Sequence, residues 1–392
     1  MMRLVLLEPE HPGEAWEPFT GVRPLAELRA GARRLRERWA AVVGLDDVVV
    51  MGDHCAEFAD VDAAPVIPRG AVHGPAIVVR SDFAPGGAAL ELSATATTLP
   101  RRLHHDGTTV GWIVAPSEIW DGPHEAGDAV PVDGMLLRGA FDLITALERL
   151  LPGDCADYVT HLGDPVPDGC VVLGESTGVV SLGAEVEPGA VFDVRRGAVV
   201  LEDGVYVQSG TRLEGPLFVG PGSLLLGGEI RHSAIGPYCR VHGEVATSVF
   251  LGYANKSHDG FVGHSVLGQW VNLGAGTITS NLKNTYGPIR LDAPGGRLET
   301  GRTNLGTLFG DHAKTAIGSM LATGSVVGAG ANVFGQPIPR WVRPFAWGTG
   351  GRELLEAEGF LTIARRVMPR RRVEVSPEIE ASLRAIYHRL GA

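Results

Sequence analysis

Between Lys256 and Asn284 the chain reads KSHDGFVGHSVLGQWVNLGAGTITSNLKN. Two histidines, His258 and His264, stand six residues apart, and asparagine recurs at 272, 281 and 284. An imidazole takes and gives protons near neutral pH, which is what a general base needs. Paired histidines also suit a divalent metal. A third reading makes them plain rungs of a repeat. The residue types leave all three open, so the elements that carry them have to decide.

Those elements repeat every six residues. Leu201, Val207, Leu213, Val219 and Leu225 keep that interval, and so do Leu321, Val327 and Val333. Gly318, Gly324 and Gly330 keep it as well. Sixes with an aliphatic residue and a glycine corner predict a hexapeptide parallel β-helix from about 169 to 348. Each hexad forms one flat face, and three faces close a coil. An ordinary sandwich would alternate every two residues instead. The 54 glycines are roughly twice the usual ~7% share, and they concentrate in this part of the chain.

Before it, residues 1–168 read as a mixed α/β domain. RLVLLE, DDVVVMG, PAIVVRS and VGWIVAP are strand candidates. PLAELRAGARRLRERWAAVVG places Leu25, Leu28, Ala32, Leu35 and Trp39 at helical spacing, with arginines on the other face. GAFDLITALERLLPGD is expected to be a helix that closes this domain. Residues 349–392 read as a helical tail interrupted at MPRRRVEVSP. The arginines at 365, 366, 370, 371 and 372 form either a solvated face or a patch for an anionic cofactor.

The chain has 392 residues and a formal net charge of −11, which argues against a general nucleic-acid or anionic-membrane binder. The four cysteines form no CxxC pair, so neither a disulfide framework nor a zinc knuckle is expected. The apolar run before Glu8 is too short for a signal peptide, and no segment is long enough to cross a bilayer. A cytoplasmic protein is the expectation.

NLGAGTITSNLKN, preceded by KSH, resembles the acetyltransferase half of the bifunctional UDP-N-acetylglucosamine diphosphorylase/glucosamine-1-phosphate N-acetyltransferase family. PFTGVRPLAELRAGARRLRERW and GDHAKTAIGSMLATGSVVGAGANVFG are similar to its variant branch that carries the sugar nucleotidyltransferase name. The resemblance implies a nucleotidyltransferase-like α/β domain, a left-handed β-helix and a homotrimer. It implies two reactions. Acetyl-CoA acetylates the amine of an amino sugar phosphate on the β-helix, and UTP is joined to the product in the α/β domain with Mg2+. It makes His258 the general base and His264 a supporting residue. Asn272, Asn281, Lys283, Lys256 and Glu244 become substrate contacts, Glu244 also as a residue that could orient a histidine. Ala275 and Ser319 match positions that touch acetyl-CoA. Arg23 and Asp82 are the nucleotide-side candidates, for a phosphate and a metal; no metal ligand is assigned on the β-helix.

The chain also departs from the family pattern. Phe261 replaces a tyrosine three residues after the histidine, and Ala246 stands where a lysine is expected. The first strand is followed by PEHPGEAWEPFTGVRP rather than a glycine-rich phosphate loop. Three alternatives follow. One is nucleotidyl transfer alone. Another is a zinc enzyme resembling the trimeric gamma-class carbonic anhydrases, with His232, His242, His258, His264 and His312 as ligand candidates. The last is a non-catalytic sugar-nucleotide-binding scaffold.

Overall fold

The computed structural model describes residues 2–90, 101–161, 163–349 and 353–391. The chain divides into two units. The first comprises Met1–Pro12, Arg23–Leu28 and Arg33–Arg138; the second comprises Gly13–Val22, Arg29–Ala32 and Gly139–Ala392.

The first unit is built on a seven-stranded mixed sheet. Arg3–Leu7 lies parallel to Val48–Met51 on one side and to Ala76–Arg80 on the other. Thr108–Val114 runs antiparallel to Ala76–Arg80. Helix α1, Leu35–Val43, presses Trp39 onto a core of Leu4, Leu6, Val50, Ile77, Val79 and Phe83. The helix expected over 24–44 is therefore much shorter. Leu25–Glu27 is a single 3-10 turn, and Gly31 takes φ +66°, outside helical space. Arg38 was expected on the solvent face. It is buried on α1 and donates to the Pro85 carbonyl at 3.2 Å.

In the second unit the six-residue period becomes a parallel β-helix, in keeping with the left-handed form expected. One face stacks Val179–Ser181, Val199–Leu201, Leu217–Val219, Ala234–Ile235, Val249–Phe250, Val266–Leu267, Thr307–Phe309, Ser325–Val327 and Trp341–Val342 in parallel. The aliphatic residues that keep the interval of six point inward: Leu201, Val207, Leu213, Val219 and Leu225 are all fully buried in one core. The corner glycines 318, 324 and 330 take φ of +68°, +68° and +67°, where a side chain would be strained.

Coil length varies around eighteen. Leu308 pairs with Val326, Ile230 with Val245 and Val249 with Val266. One coil is much longer, because Leu267 pairs with Phe309 across an excursion. That excursion carries an antiparallel hairpin, Arg290–Ala293 with Gly296–Glu299.

Helix α2, Asp142–Val159, corrects the expected boundary at 168. It belongs to the second unit and packs along the face formed by 179–181, 199–201, 217–219 and 249–250. Its apolar side, Leu143, Ile144, Leu147 and Leu151, is buried, and the helix covers the β-helix. The tail boundary expected at 349 adjoins residues 350–352, which lie outside the described residues. Beyond them come α3, Ala357–Val367, and α4, Pro377–Leu390, separated by a 3-10 turn at Met368–Arg371. Among the described residues no helix is long and apolar enough to cross a membrane.

Candidate active site

The strand Asn255–Lys256 ends at a corner, and Phe261–Gly263 begins the next face. His258 sits on that corner with its imidazole exposed. One coil further along the axis the equivalent corner holds Ala275 and Gly276, and the coil after that holds Ile317 and Gly318. These residues, with His242, Ser257 and Asp259, line a groove of about 820 Å3. Gly276 has φ +71° and stacks on Gly318, whose Cα would lie 3.7 Å from any Cβ built on it. The floor of the groove is therefore bare backbone, wide enough for an extended chain to lie against peptide groups. Gly260, in the His258 corner, cannot carry a side chain, since a Cβ would lie 2.2 Å from the Thr277 carbonyl oxygen.

Lys256 occupies an inward position between Val241 and Leu273 and is 2% exposed. Its ammonium donates to the carbonyls of His242, at 2.8 Å, and of His258. Burial holds its pKa down at about 8. An inward rung cannot reach a substrate outside the coil, so the expected substrate contact becomes an internal clamp on the corner. His242 is a groove residue that the sequence reading treated only as a metal candidate. Its Nδ1 lies 2.6 Å from the Leu226 carbonyl and its Nε2 3.0 Å from Asp259 Oδ1. The signal was its distance from His258, which is close to one coil.

The remaining expected residues are distributed over other faces. Asn272 points outward from the flat face that precedes the groove corner, and its Oδ1 accepts from Asn255 Nδ2 at 2.8 Å. Asn281 lies at the next corner, where its Nδ2 is 2.8 Å from His264 Nδ1. His264 has φ +48°, and burial depresses its pKa to about 4, so it is neutral at physiological pH. Lys283, at the base of the excursion, donates to the Pro288 carbonyl. Arg302 closes the other end of the excursion onto α2, bonding Thr145 Oγ1 at 2.6 Å and Glu148 Oε1 at 2.8 Å. Glu244 accepts from the Arg231 guanidinium at 2.8 Å. The Ser319 hydroxyl is buried and donates to the Ala316 carbonyl at 2.8 Å. His258 and Ala275 are thus the two expected residues that share one groove. Nearness in sequence misleads here because neighbouring hexads face different directions.

His258 and His264 occupy different corners of the coil. Among the described residues no three His, Cys, Asp or Glu side chains are arranged to hold a metal ion.

The first unit has its own cavity, of about 510 Å3, lined by Glu8, Arg69, Arg80, Asp82, Trp112 and Glu125 among others. It opens at the carboxyl ends of the parallel strands 3–7 and 76–80, where ligands commonly bind in α/β sheets. Asp82 is in this cavity and Arg23 is not. Arg23 is 1% exposed, bonds Asp60 at 3.0 Å and stacks over Phe58, which makes it a structural ion pair. Both Asp82 oxygens bond Arg80, at 2.9 and 2.7 Å. Both Glu8 oxygens accept backbone N–H groups, of Leu25 and Ala26. Both carboxylates are thus engaged within the protein, and no step is derived through Mg2+.

A parallel β-helix with a corner histidine over a glycine-floored groove defines a hexapeptide-repeat protein. Comparison with known proteins places particular relatives beside it. No family model matches the chain. A bifunctional sugar-1-phosphate nucleotidylyltransferase/acetyltransferase of Sulfurisphaera tokodaii is 32% identical over 147 residues, 36% of each chain. A bifunctional protein GlmU of Methanocaldococcus jannaschii is 34% identical over 86 residues, 22% of this chain and 21% of the relative. Another GlmU, of Nitrosospira multiformis, is 27% identical over 214 residues, 48% of this chain and 43% of the relative. The chain thus spans less than half the length of these relatives. The name of the first of them pairs the two activities of the family that the KSH and NLGAGTITSNLKN residues resemble.

Proposed function

We propose that the protein transfers an acetyl group from acetyl-CoA to the amine of an amino sugar phosphate such as glucosamine 1-phosphate. The observation that carries this reading is the placement of the His258 imidazole over the bare Gly276–Gly318 floor in one groove. Its volume falls in the range of small-molecule sites. His258 takes the amine proton as the nitrogen attacks the thioester carbon. Corner N–H groups face the developing oxyanion, and the CoA thiolate leaves. Ala275 lies beside the thioester, and Ser319 shapes the corner through its bond to Ala316 rather than by touching CoA.

Asn281 and Lys283 complete the acceptor site from a neighbouring copy in a homotrimer, whereas Asn272 faces the chain's own tail. Two features support that arrangement. The polar residues lie on separate faces of one chain, and a cyclic assembly brings different faces together. Ile317 and Met320, beside the groove, are 79% and 66% exposed, which is large for apolar side chains left uncovered. A native mass measurement returning a monomer would remove the shared site.

The second reading is nucleotidyl transfer from UTP to the acetylated sugar phosphate in the first unit. The observation in its favour is the cavity at the carboxyl strand ends with Arg69 and Arg80 on its wall. One assay separates the two. Thiol release from acetyl-CoA is followed with glucosamine 1-phosphate, glucosamine 6-phosphate and UDP-linked amino sugars, while pyrophosphate release from UTP is followed in parallel. Thiol release supports acetyl transfer and its preferred acceptor names the substrate. Pyrophosphate release without thiol release would leave nucleotidyl transfer alone.

A further inference from the structure

A second polar cavity, of about 230 Å3, lies on the flat face before the His258 corner and is roofed by the tail. Its floor is an outward column of paired rungs: Arg240, Asn255, Asn272 and Lys314. At the usual strand spacing these four rungs cover about 14 Å. The roof comes from Val367, the last residue of α3, and from Arg370 and Arg371 of the turn that follows. Arg371 is anchored there, with Nε 3.2 Å from the Tyr238 carbonyl and an η nitrogen 3.4 Å from Asn255 Oδ1.

Four cations therefore converge on one small space, and no carboxylate is among the residues that line it. Among the described residues none of the four is ion-paired, although the whole chain carries a net charge of −11. The crowding has an electrostatic signature. Burial, then Arg240 and Arg370, lower the pKa of Arg371, and burial lowers that of Lys314 to about 8. Gathering like charges under a partly buried roof is unfavourable unless an anion neutralises them.

One wall says what kind of anion. Tyr253 and Trp270 line the cavity, but their faces are already taken. Tyr253 stacks on Tyr238 at 5.4 Å and on Trp270 at 4.3 Å, and Trp270 stacks on His312 at 6.1 Å. They offer edges and not platforms for a nucleobase. The buried indole N–H of Trp270 has no hydrogen-bond partner. The amides of Asn255 and Asn272 stand beside it on the floor.

We infer that this cavity is a binding site for a compact phosphate-type dianion, a phosphoryl or pyrophosphoryl group, separate from the His258 groove and clamped between the outer rungs and the tail arginines. The ligand is either a free inorganic anion or the phosphoryl end of a small metabolite. Three planar guanidinium groups with an ammonium match tetrahedral phosphate oxygens well.

The test is isothermal titration of the full chain with inorganic pyrophosphate, inorganic phosphate, glucosamine 1-phosphate and uridine diphosphate. Saturable binding of pyrophosphate at one per chain is expected, weakened about tenfold or more in Arg240→Gln and in Arg370→Ala. Arg370 is exposed, so its variant folds; Arg366→Ala, a tail arginine outside the cavity, is expected to bind like the parent chain. Pyrophosphate or phosphate binding as tight as that of glucosamine 1-phosphate identifies a free anion, and tighter sugar-phosphate binding that Arg370→Ala weakens and His258→Ala leaves unchanged identifies a metabolite's phosphoryl end. No saturable binding of any of the four, or equal binding in Arg240→Gln and Arg370→Ala, would overturn the site. Uridine diphosphate binding tenfold tighter than pyrophosphate would overturn the assignment to a compact anion.

Discussion

The ammonium of Lys256, inside the coil, is hydrogen-bonded to the backbone carbonyl of His258, on its surface. The same ammonium reaches the His242 carbonyl at 2.8 Å. Two successive corners of the groove are thereby tied to one buried point, and both histidines that line the groove hang from it.

Replacing that ammonium should loosen the corner. Lys256→Met leaves two carbonyls without their donor, which costs about 1–3 kcal/mol in denaturant unfolding. The expected kinetic effect falls on kcat more than on KM, because the imidazole is displaced while the groove floor remains. A pH signature accompanies it. Lys256 and Lys314 both have folded pKa values of about 8, held below the ordinary 10.5 by burial. The unfolded chain binds more protons between those values, so stability rises with pH across that window, and the variant should show a shallower rise. A variant with parental stability and kcat would show that the clamp does not matter.

His264 predicts the behaviour on the acid side. Its folded pKa of about 4 lies below the ordinary 6.5, because burial disfavours the charged ring. The unfolded chain protonates first as pH falls. Its contribution is complete above about 6.5 and is lost progressively down to about 4. At about 1.36 kcal/mol per pH unit the loss amounts to about 3 kcal/mol. His264→Gln should flatten the fall in melting temperature between pH 6.5 and 4. An unchanged acid limb in the variant would mean the ring is not buried as described.

The repeat and its inward column were legible because stacking imposes a strict interval on Leu201 through Leu225, and the structure buries every one of them. The strands at 3–7, 48–51, 76–80 and 108–114 were legible for the same reason, as short apolar runs. Helix α1 was overextended because Leu25, Leu28 and Ala32 are buried by other means than a helix, and one-dimensional spacing cannot distinguish the two. Assigning α2 to the first unit failed on a different ground. An amphipathic helix announces an apolar face but not the surface that face meets. Of the candidate residues, His258 and Ala275 fall in one groove, as their separation of about one coil allows. Lys256 was misread because a charged residue at an inward rung contradicts composition, and only its partners explain it. The tail cavity was invisible to spacing, since it joins Arg240 to Arg370 across 130 residues of chain.

The groove floor gives a third prediction. Gly276 has φ +71° and leaves the slot open beside Ala275. Gly276→Val adds a branched side chain where the backbone is left-handed, at a cost of about 1–3 kcal/mol, and fills the slot. The expected outcome is a KM for acetyl-CoA raised about tenfold or more, with the acceptor KM little changed. A rise confined to the acceptor KM would place the thioester elsewhere.

The most direct measurement is acetyl-CoA-dependent thiol release with glucosamine 1-phosphate, comparing the parent chain with His258→Ala. The account predicts release by the parent and a loss of about 10²-fold or more in kcat for the variant, with folding unchanged because the imidazole is exposed. Equal release by both proteins, or no release by the parent with any amino sugar phosphate, would contradict it.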